Sequence, residues 1–160
     1  MVRANGEFRL VAIRAIAAGE RLFRIEGDPT HRPSRFSVQI AEDLHIDLQP
    51  NHATEEILDR YFWRFMNHSC NPNAVVRGRD VFSRHAIAPW TSVTFNYNTT
   101  EWDMAEPFTC CCGAAECLGV IRGFKHLGPQ QRDRLRSLVA SHLKAWLPEQ
   151  SAERDGVTVA

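Results

Sequence analysis

Four of the five cysteines fall between Cys110 and Cys117, and this crowding constrains the fold more than any other feature of the chain. A disulfide framework would be even in number and more widely spread. In a reducing compartment, crowded thiols read first as metal ligands, with redox chemistry or plain buried thiols as the alternatives. Residues two apart in an extended segment face one side. Cys110 and Cys112 can therefore point at one ion while Cys111 points away. Cys117 returns after a turn at Gly113-Ala114-Ala115. Three thiolates leave one tetrahedral corner open, and Cys70 is the cysteine that remains to fill it. The spacing predicts a structural Zn²⁺ held by Cys70, Cys110, Cys112 and Cys117, with His68 as a competing ligand. Such an ion would tie the loop at 67–73 to the C-terminal segment and build a site at their junction, with the metal outside the chemistry.

The chain has 160 residues, which suits one domain able to bury a core without metal to rescue it. At 44% hydrophobic and 24% charged it has an ordinary globular composition. Its formal net charge of zero argues against nucleic acid as the main partner. No run of about 18 apolar residues could span a membrane, and MVRANGEFRL lacks the apolar stretch of a signal peptide. The expectation is an intracellular chain, cytoplasmic or nuclear.

The pattern along the chain is mainly β. Apolar positions over residues 8–25, interrupted by Ala17-Ala18-Gly19-Glu20, predict two short strands. Alternation at Phe36, Val38 and Ile40, then at Leu44, Ile46 and Leu48, predicts two more around a turn at 41–43. Thr54 is placed to cap a helix running from Glu55 to about Phe65. Val75-Val76 and Val81-Phe82 flank Arg77-Gly78-Arg79-Asp80 as a hairpin, and Val93–Tyr97 reads as a strand. Residues 129–147 predict an amphipathic helix opened by Pro129. Its stripe is Leu135, Leu138, Val139, His142, Leu143, Trp146 and Leu147, read as packing onto the domain, with a dimer contact as the alternative. A polar tail follows from Pro148. No strand-turn-helix unit carries a glycine-rich dinucleotide fingerprint, which argues against a Rossmann methyltransferase.

Arg64-Phe65-Met66-Asn67-His68-Ser69-Cys70-Asn71-Pro72-Asn73 resembles the R-F-I-N-H-S-C-x-P-N motif of SET-domain protein lysine methyltransferases. Val93–Asn98 resembles their L-T-x-D-Y-N motif. Phe108 through Gly119 resembles the post-SET F-x-C-x-C-x₄-C-x-G segment, and Ala12–Phe23 is similar to the first SET segment. The matches come in the family's order and cover most of residues 8–125. The resemblance implies a fold of several small curved sheets in which one C-terminal segment threads under a loop, a rare arrangement. The two segments here would be 67–73 and 94–98. It divides the chain into a SET domain at 1–108, a post-SET zinc segment at 109–125, the C-terminal helix at 126–147 and the tail at 148–160.

The same resemblance implies methyl transfer from S-adenosylmethionine to the side-chain amine of a lysine in a protein or peptide substrate. Tyr97 would be the catalytic residue. Arg64, Asn67, His68, Tyr97 and Phe108 would bind the cofactor, with Arg64 alternatively bracing the loop. Asn73 would be a structural hydrogen-bonder. Phe36, Trp102 and Phe108 are candidates for the lysine channel, and residues 27–63 would shape the substrate groove. Three positions depart from the family's pattern. Glu7-Phe8-Arg9, next to Gly6, stands where the family carries G-x-G; Asn96 replaces a common aspartate; and Ser92 replaces a common glutamate. The alternative is a SET module that binds a peptide without turnover.

Overall fold

The computed structural model describes residues 2–4 and 7–149. Gly6 and the tail from residue 150 lie outside the described residues. Strands β1 (Val2–Ala4) and β2 (Glu7–Arg9) form an antiparallel pair. Next come β3 (Arg21–Arg24), β4 (Asp28–Thr30), β5 (Val38–Ala41) and β6 (Leu44–Asp47). After a helical stretch come β7 (Asn67–His68), β8 (Ala74–Arg77), β9 (Asp80–Ser83) and β10 (Thr94–Phe95). Strands β11 (Phe108–Thr109) and β12 (Val120–Ile121) pair across the cysteine segment.

The sheets are small, in the orders β3-β9-β8 and β4-β6-β5, with three further two-stranded pairs. The β5–β6 and β8–β9 hairpins fall where alternation placed them. Gly78 closes the second with φ of 60°, a left-handed conformation that costs glycine nothing. Strand β10 pairs β7 in parallel, with Thr94 opposite Asn67 and Phe95 opposite His68. The two segments expected to cross are therefore hydrogen-bonded neighbours. Residues 8–25 are more broken than expected: between β2 and β3 the pairing is reduced to isolated bridges, Val11 to Ser92 and Ile16 to Ile87, with scattered backbone bonds beside them.

Two expected helices are shorter than their patterns. Helix α1 covers Thr54–Asp59, with Ala53 rather than Thr54 at its N-cap and no side-chain cap bond. A 3-10 turn at Phe62–Phe65 replaces the rest. The reason is burial. Tyr61 and Trp63 both enter the core, and residues two apart cannot share one face of an α-helix. Trp63 Nε1 also donates to the Glu26 carbonyl at 2.8 Å.

The helix expected over 129–147 is likewise split into α2 (Pro129–Leu135) and a 3-10 segment at Ser141–Trp146. The carbonyls between them are taken by Arg77, whose guanidinium donates to Ser137, to Leu138 at 2.9 Å and to Val139 at 3.4 Å. Ala140 N–H donates to the Thr99 carbonyl at 2.8 Å. A continuous helix would need these groups for itself. The apolar stripe still serves packing: Leu135, Leu138, Val139 and Leu143 bury against Phe124 and Trp102 as a second core. The main core lies between the sheets around Ile25, Ile46, Trp63, Met66, Val76 and Val81.

Candidate active site and metal centre

The sulfurs of Cys70, Cys110, Cys112 and Cys117 all lie within 4.8 Å of one another. The β11–β12 pair brings the last three into one loop, and the turn after β7 delivers Cys70. A tetrahedral zinc with Zn–S near 2.3 Å spaces its sulfurs by about 3.8 Å, so the quartet fits the ion with a small contraction. Backbone N–H groups already point at the sulfurs: Leu118 at Cys70 Sγ (3.4 Å) and Cys70 at Cys112 Sγ (3.5 Å). Such donors support thiolates in metal sites. Burial pushes the Cys70 thiol up to about 11. Burial also opposes ionisation of Cys112, but N–H groups of Cys70 and Ala114 bring its pKa down to about 6. Cys111 is exposed and points away, as the alternation required.

His68 does not join the quartet as a ligand. Burial lowers its pKa to about 4, so the ring is neutral. Its Nδ1 accepts the Tyr97 N–H at 3.1 Å, which leaves the ring proton on Nε2. That nitrogen lies 3.3 Å from Cys70 Sγ. The imidazole thus bridges the cysteine cluster and the backbone of Tyr97.

Tyr97, expected to end a strand over Val93–Tyr97, instead opens a 3-10 turn at Tyr97–Thr99, one residue beyond the shorter β10, with Asn96 as its N-cap. Its hydroxyl donates to the Met66 carbonyl at 3.0 Å. Its ring centroid is 4.7 Å from Phe95, 5.3 Å from His68 and 6.0 Å from Phe108, while His68 and Phe108 are 5.7 Å apart. Three motifs distant in sequence therefore meet in one aromatic group. Asn67 Nδ2 donates to the Phe8 carbonyl at 3.1 Å and so draws the glycine-poor start against this group. Asn73 joins both segments, donating to the Ser92 carbonyl at 2.8 Å and accepting the Thr94 N–H at 2.9 Å.

The remaining candidates divide. Arg64 lies 3.6 Å from Asp47, and its guanidinium sits 4.5 Å from the ring centroid of half-exposed Phe36. Asp47 ends β6 and Phe36 precedes β5, so these contacts tie Arg64 to the β4-β6-β5 sheet. Trp102 packs on Trp146 at 4.8 Å and on Phe124 at 6.4 Å, within the second core. Phe108 alone of the three channel candidates contacts Tyr97. Asn96 is buried, and its Oδ1 accepts the Asn98 N–H at 3.1 Å. Sequence reasoning placed Arg77 only in a hairpin turn and His142 only in the apolar stripe, and it missed the buried polar group of Gln39, His45 and Glu101. None of these stands in a motif, and only a three-dimensional neighbour gives each its meaning.

With this geometry in view, the comparisons are specific. The SET domain model matches residues 7–98, more than half the chain. The methyltransferase flvH of Aspergillus flavus is 28% identical over 139 residues, covering 78% of this chain and 70% of that protein. The histone-lysine N-methyltransferase ASHH1 of Arabidopsis thaliana is 29% identical over 145 residues, covering 78% and 29%. The H3 lysine-36-specific histone-lysine N-methyltransferase of Candida albicans is 31% identical over 144 residues, covering 82% and 16%. This chain thus spans under a third of those two histone-lysine enzymes. The crystal structure of KRYPTONITE in complex with mCHG DNA and SAH shares the fold, with a TM-score of 0.51 and 22% identity over 69% of this chain and 26% of that one.

Proposed function

Since this chain belongs to the SET domain family, we propose that it transfers a methyl group from S-adenosylmethionine to the side-chain amine of a lysine in a protein substrate. The observation that carries this reading is the convergence of Tyr97, His68 and Phe108 beside the parallel β7–β10 pair. The names of its relatives, methyltransferase and histone-lysine N-methyltransferase, point the same way. When bound, S-adenosylmethionine supplies a methyl carried on a positively charged sulfonium. Aromatic faces attract a cation placed over them, and the ring group offers several. Asn67 and His68 would hold the cofactor, with Phe108 against it.

The lysine must arrive neutral. Its ordinary pKa is near 10.4, so at pH 7 roughly one in 10³ is uncharged, a cost of about 4–5 kcal/mol. An apolar channel lowers that cost by disfavouring the ammonium, and a nearby positive charge adds to the effect. Tyr97 would orient the amine by its hydroxyl, so that the N–C bond forms as the C–S bond breaks. Holding the two in line contributes much of the rate. Zinc at the four cysteines would fasten the 67–73 loop to the segment carrying Phe108 and stand apart from the chemistry.

The substrate would be a histone or another protein presenting a lysine, met inside the cell. Among the described residues, no helix is long and apolar enough to cross a membrane. Calorimetry with S-adenosylmethionine tests the first step: a measurable heat with one site supports the reading. No binding to zinc-loaded protein favours a module that holds a peptide without turnover.

A further inference from the structure

The β4-β6-β5 sheet meets the turn after Tyr97 through buried polar groups. Gln39, His45, Thr100 and Glu101 are each under a tenth exposed. Gln39 N–H donates to Glu101 Oε1 at 2.8 Å, and Trp102 N–H donates to Gln39 Oε1 at 2.7 Å, so the two segments exchange bonds. Gln39 Nε2 reaches the carbonyls of Ala41 and Glu42, both at 2.9 Å, and fixes the β5–β6 turn. The Thr100 hydroxyl adds a second bond to the carboxyl, 3.1 Å to Glu101 Oε1. The other carboxyl oxygen lies 3.6 Å from His45 Nε2 on β6. On its own segment, Glu101 N–H donates to the Tyr97 carbonyl at 2.9 Å. The carboxyl is therefore one turn of chain from Tyr97 and bonded to a neighbouring sheet.

We propose that Glu101 is a positioning residue for Tyr97: with Gln39 and His45 it forms a buried proton-binding clasp whose ionisation sets how the Tyr97 turn is held against the sheet. A structural acceptor alone would not need to be ionisable, since an amide offers the same oxygen to Gln39. A carboxylate in this place has to be compensated. The nearest candidate is His45, and burial disfavours its charged form. Asp43 and Asp47 favour that charged form, while His142 and His31 oppose it. His142 faces the clasp from the 3-10 segment, its Nε2 2.8 Å from the Thr100 carbonyl. Burial pushes Glu101 up to about 7, against the bonds from Gln39 and Thr100 that lower it. The proton of the clasp is thus exchanged close to neutral pH, and its loss changes the charge that the Gln39 bond must meet.

The meaning for catalysis rests on the role proposed above for Tyr97, whereas the linkage itself needs neither cofactor nor substrate to be measured. NMR on the zinc-loaded full chain, labelled with ¹³C and ¹⁵N, would follow the Glu101 carboxyl and the Tyr97 amide between about pH 5 and 9. The expected result is a Glu101 midpoint within about one unit of 7, where an ordinary glutamate titrates near 4.3, with the Tyr97 amide moving at the same midpoint. Glu101→Gln keeps the acceptor for Gln39 and should flatten the Tyr97 titration while the rest of the spectrum stays native. A Glu101 midpoint in the ordinary range overturns the clasp, and that arm requires no variant. A Tyr97 titration unchanged in Glu101→Gln overturns the positioning role. Failure to bind S-adenosylmethionine would count against methyl transfer and leave both NMR results standing.

Discussion

Tyr97 carries the largest consequence of any single residue. Its hydroxyl is the one group that Tyr97→Phe removes, and the ring contacts to His68 and Phe108 would survive. Cofactor affinity should change less than about twofold while transfer falls at least about tenfold, or about 1.4 kcal/mol of barrier. Calorimetry and a single-turnover assay read the two separately. Trp90 is informative for a different reason. It has φ of 66° and is 72% exposed. The corresponding turn before β3 places Gly19 there, with φ of 76°. A side chain in the left-handed region costs roughly 1–2 kcal/mol, and an exposed ring recovers little of that by burial. Trp90→Gly should raise stability by about 1 kcal/mol in urea denaturation; equal or lower stability would show that Trp90 makes contacts the turn depends on.

At the level of elements, the two hairpins were legible, β4, β11 and β12 were not, and the helices were legible only in part. Alternation at Val38–Ile40 and Leu44–Leu48 reports burial on one face, and the chain needs nothing else to form that hairpin. The stripe over 135–147 reported burial correctly but not helical continuity, because the competitor for its carbonyls is Arg77, some 60 positions earlier in the chain. No local pattern encodes such a donor. Arg77→Ala should therefore destabilise the protein by about 2 kcal/mol, the range for charge-assisted bonds to otherwise unpaired carbonyls. Equilibrium unfolding measures this, and the loss should be felt first in the segment at 136–147. The four-cysteine cluster was readable from spacing: alternation set Cys110 and Cys112 on one side, the turn returned Cys117, and Cys70 was the cysteine that remained. The Tyr97 and Asn67-His68 roles drew their meaning from the family motifs. The structure adds the link between them, a neutral His68 set between Cys70 and the Tyr97 backbone.

At the scale of the whole molecule, the described residues hold two cores, one four-cysteine cluster and one buried carboxyl, Glu101. Freshly purified protein should hold about one zinc, and less than about half an equivalent would contradict a folded four-cysteine site. Chelation should loosen the β11–β12 pair and the 67–73 loop while the β3-β9-β8 sheet persists. Glu101 adds a pH dependence with a definite sign. Its pKa is raised in the fold from 4.5 to about 7. Its stabilising contribution is therefore complete below pH 4.5 and is lost as pH rises through about 7. Buried His45 and half-buried His142 act oppositely, since their depressed pKa values favour the fold above pH 6.5. Comparison with Glu101→Gln separates them: the variant should gain about 2–3 kcal/mol on the wild type between pH 5 and 8.

The most direct test of the account is transfer itself. Zinc-loaded protein would be incubated with methyl-labelled S-adenosylmethionine and an extract of unmodified proteins including histones, and labelled residues would be identified by mass spectrometry. The account predicts label on lysine side chains with wild type and at least about tenfold less with Tyr97→Phe. No lysine label from wild-type protein, or equal label from the variant, would contradict it.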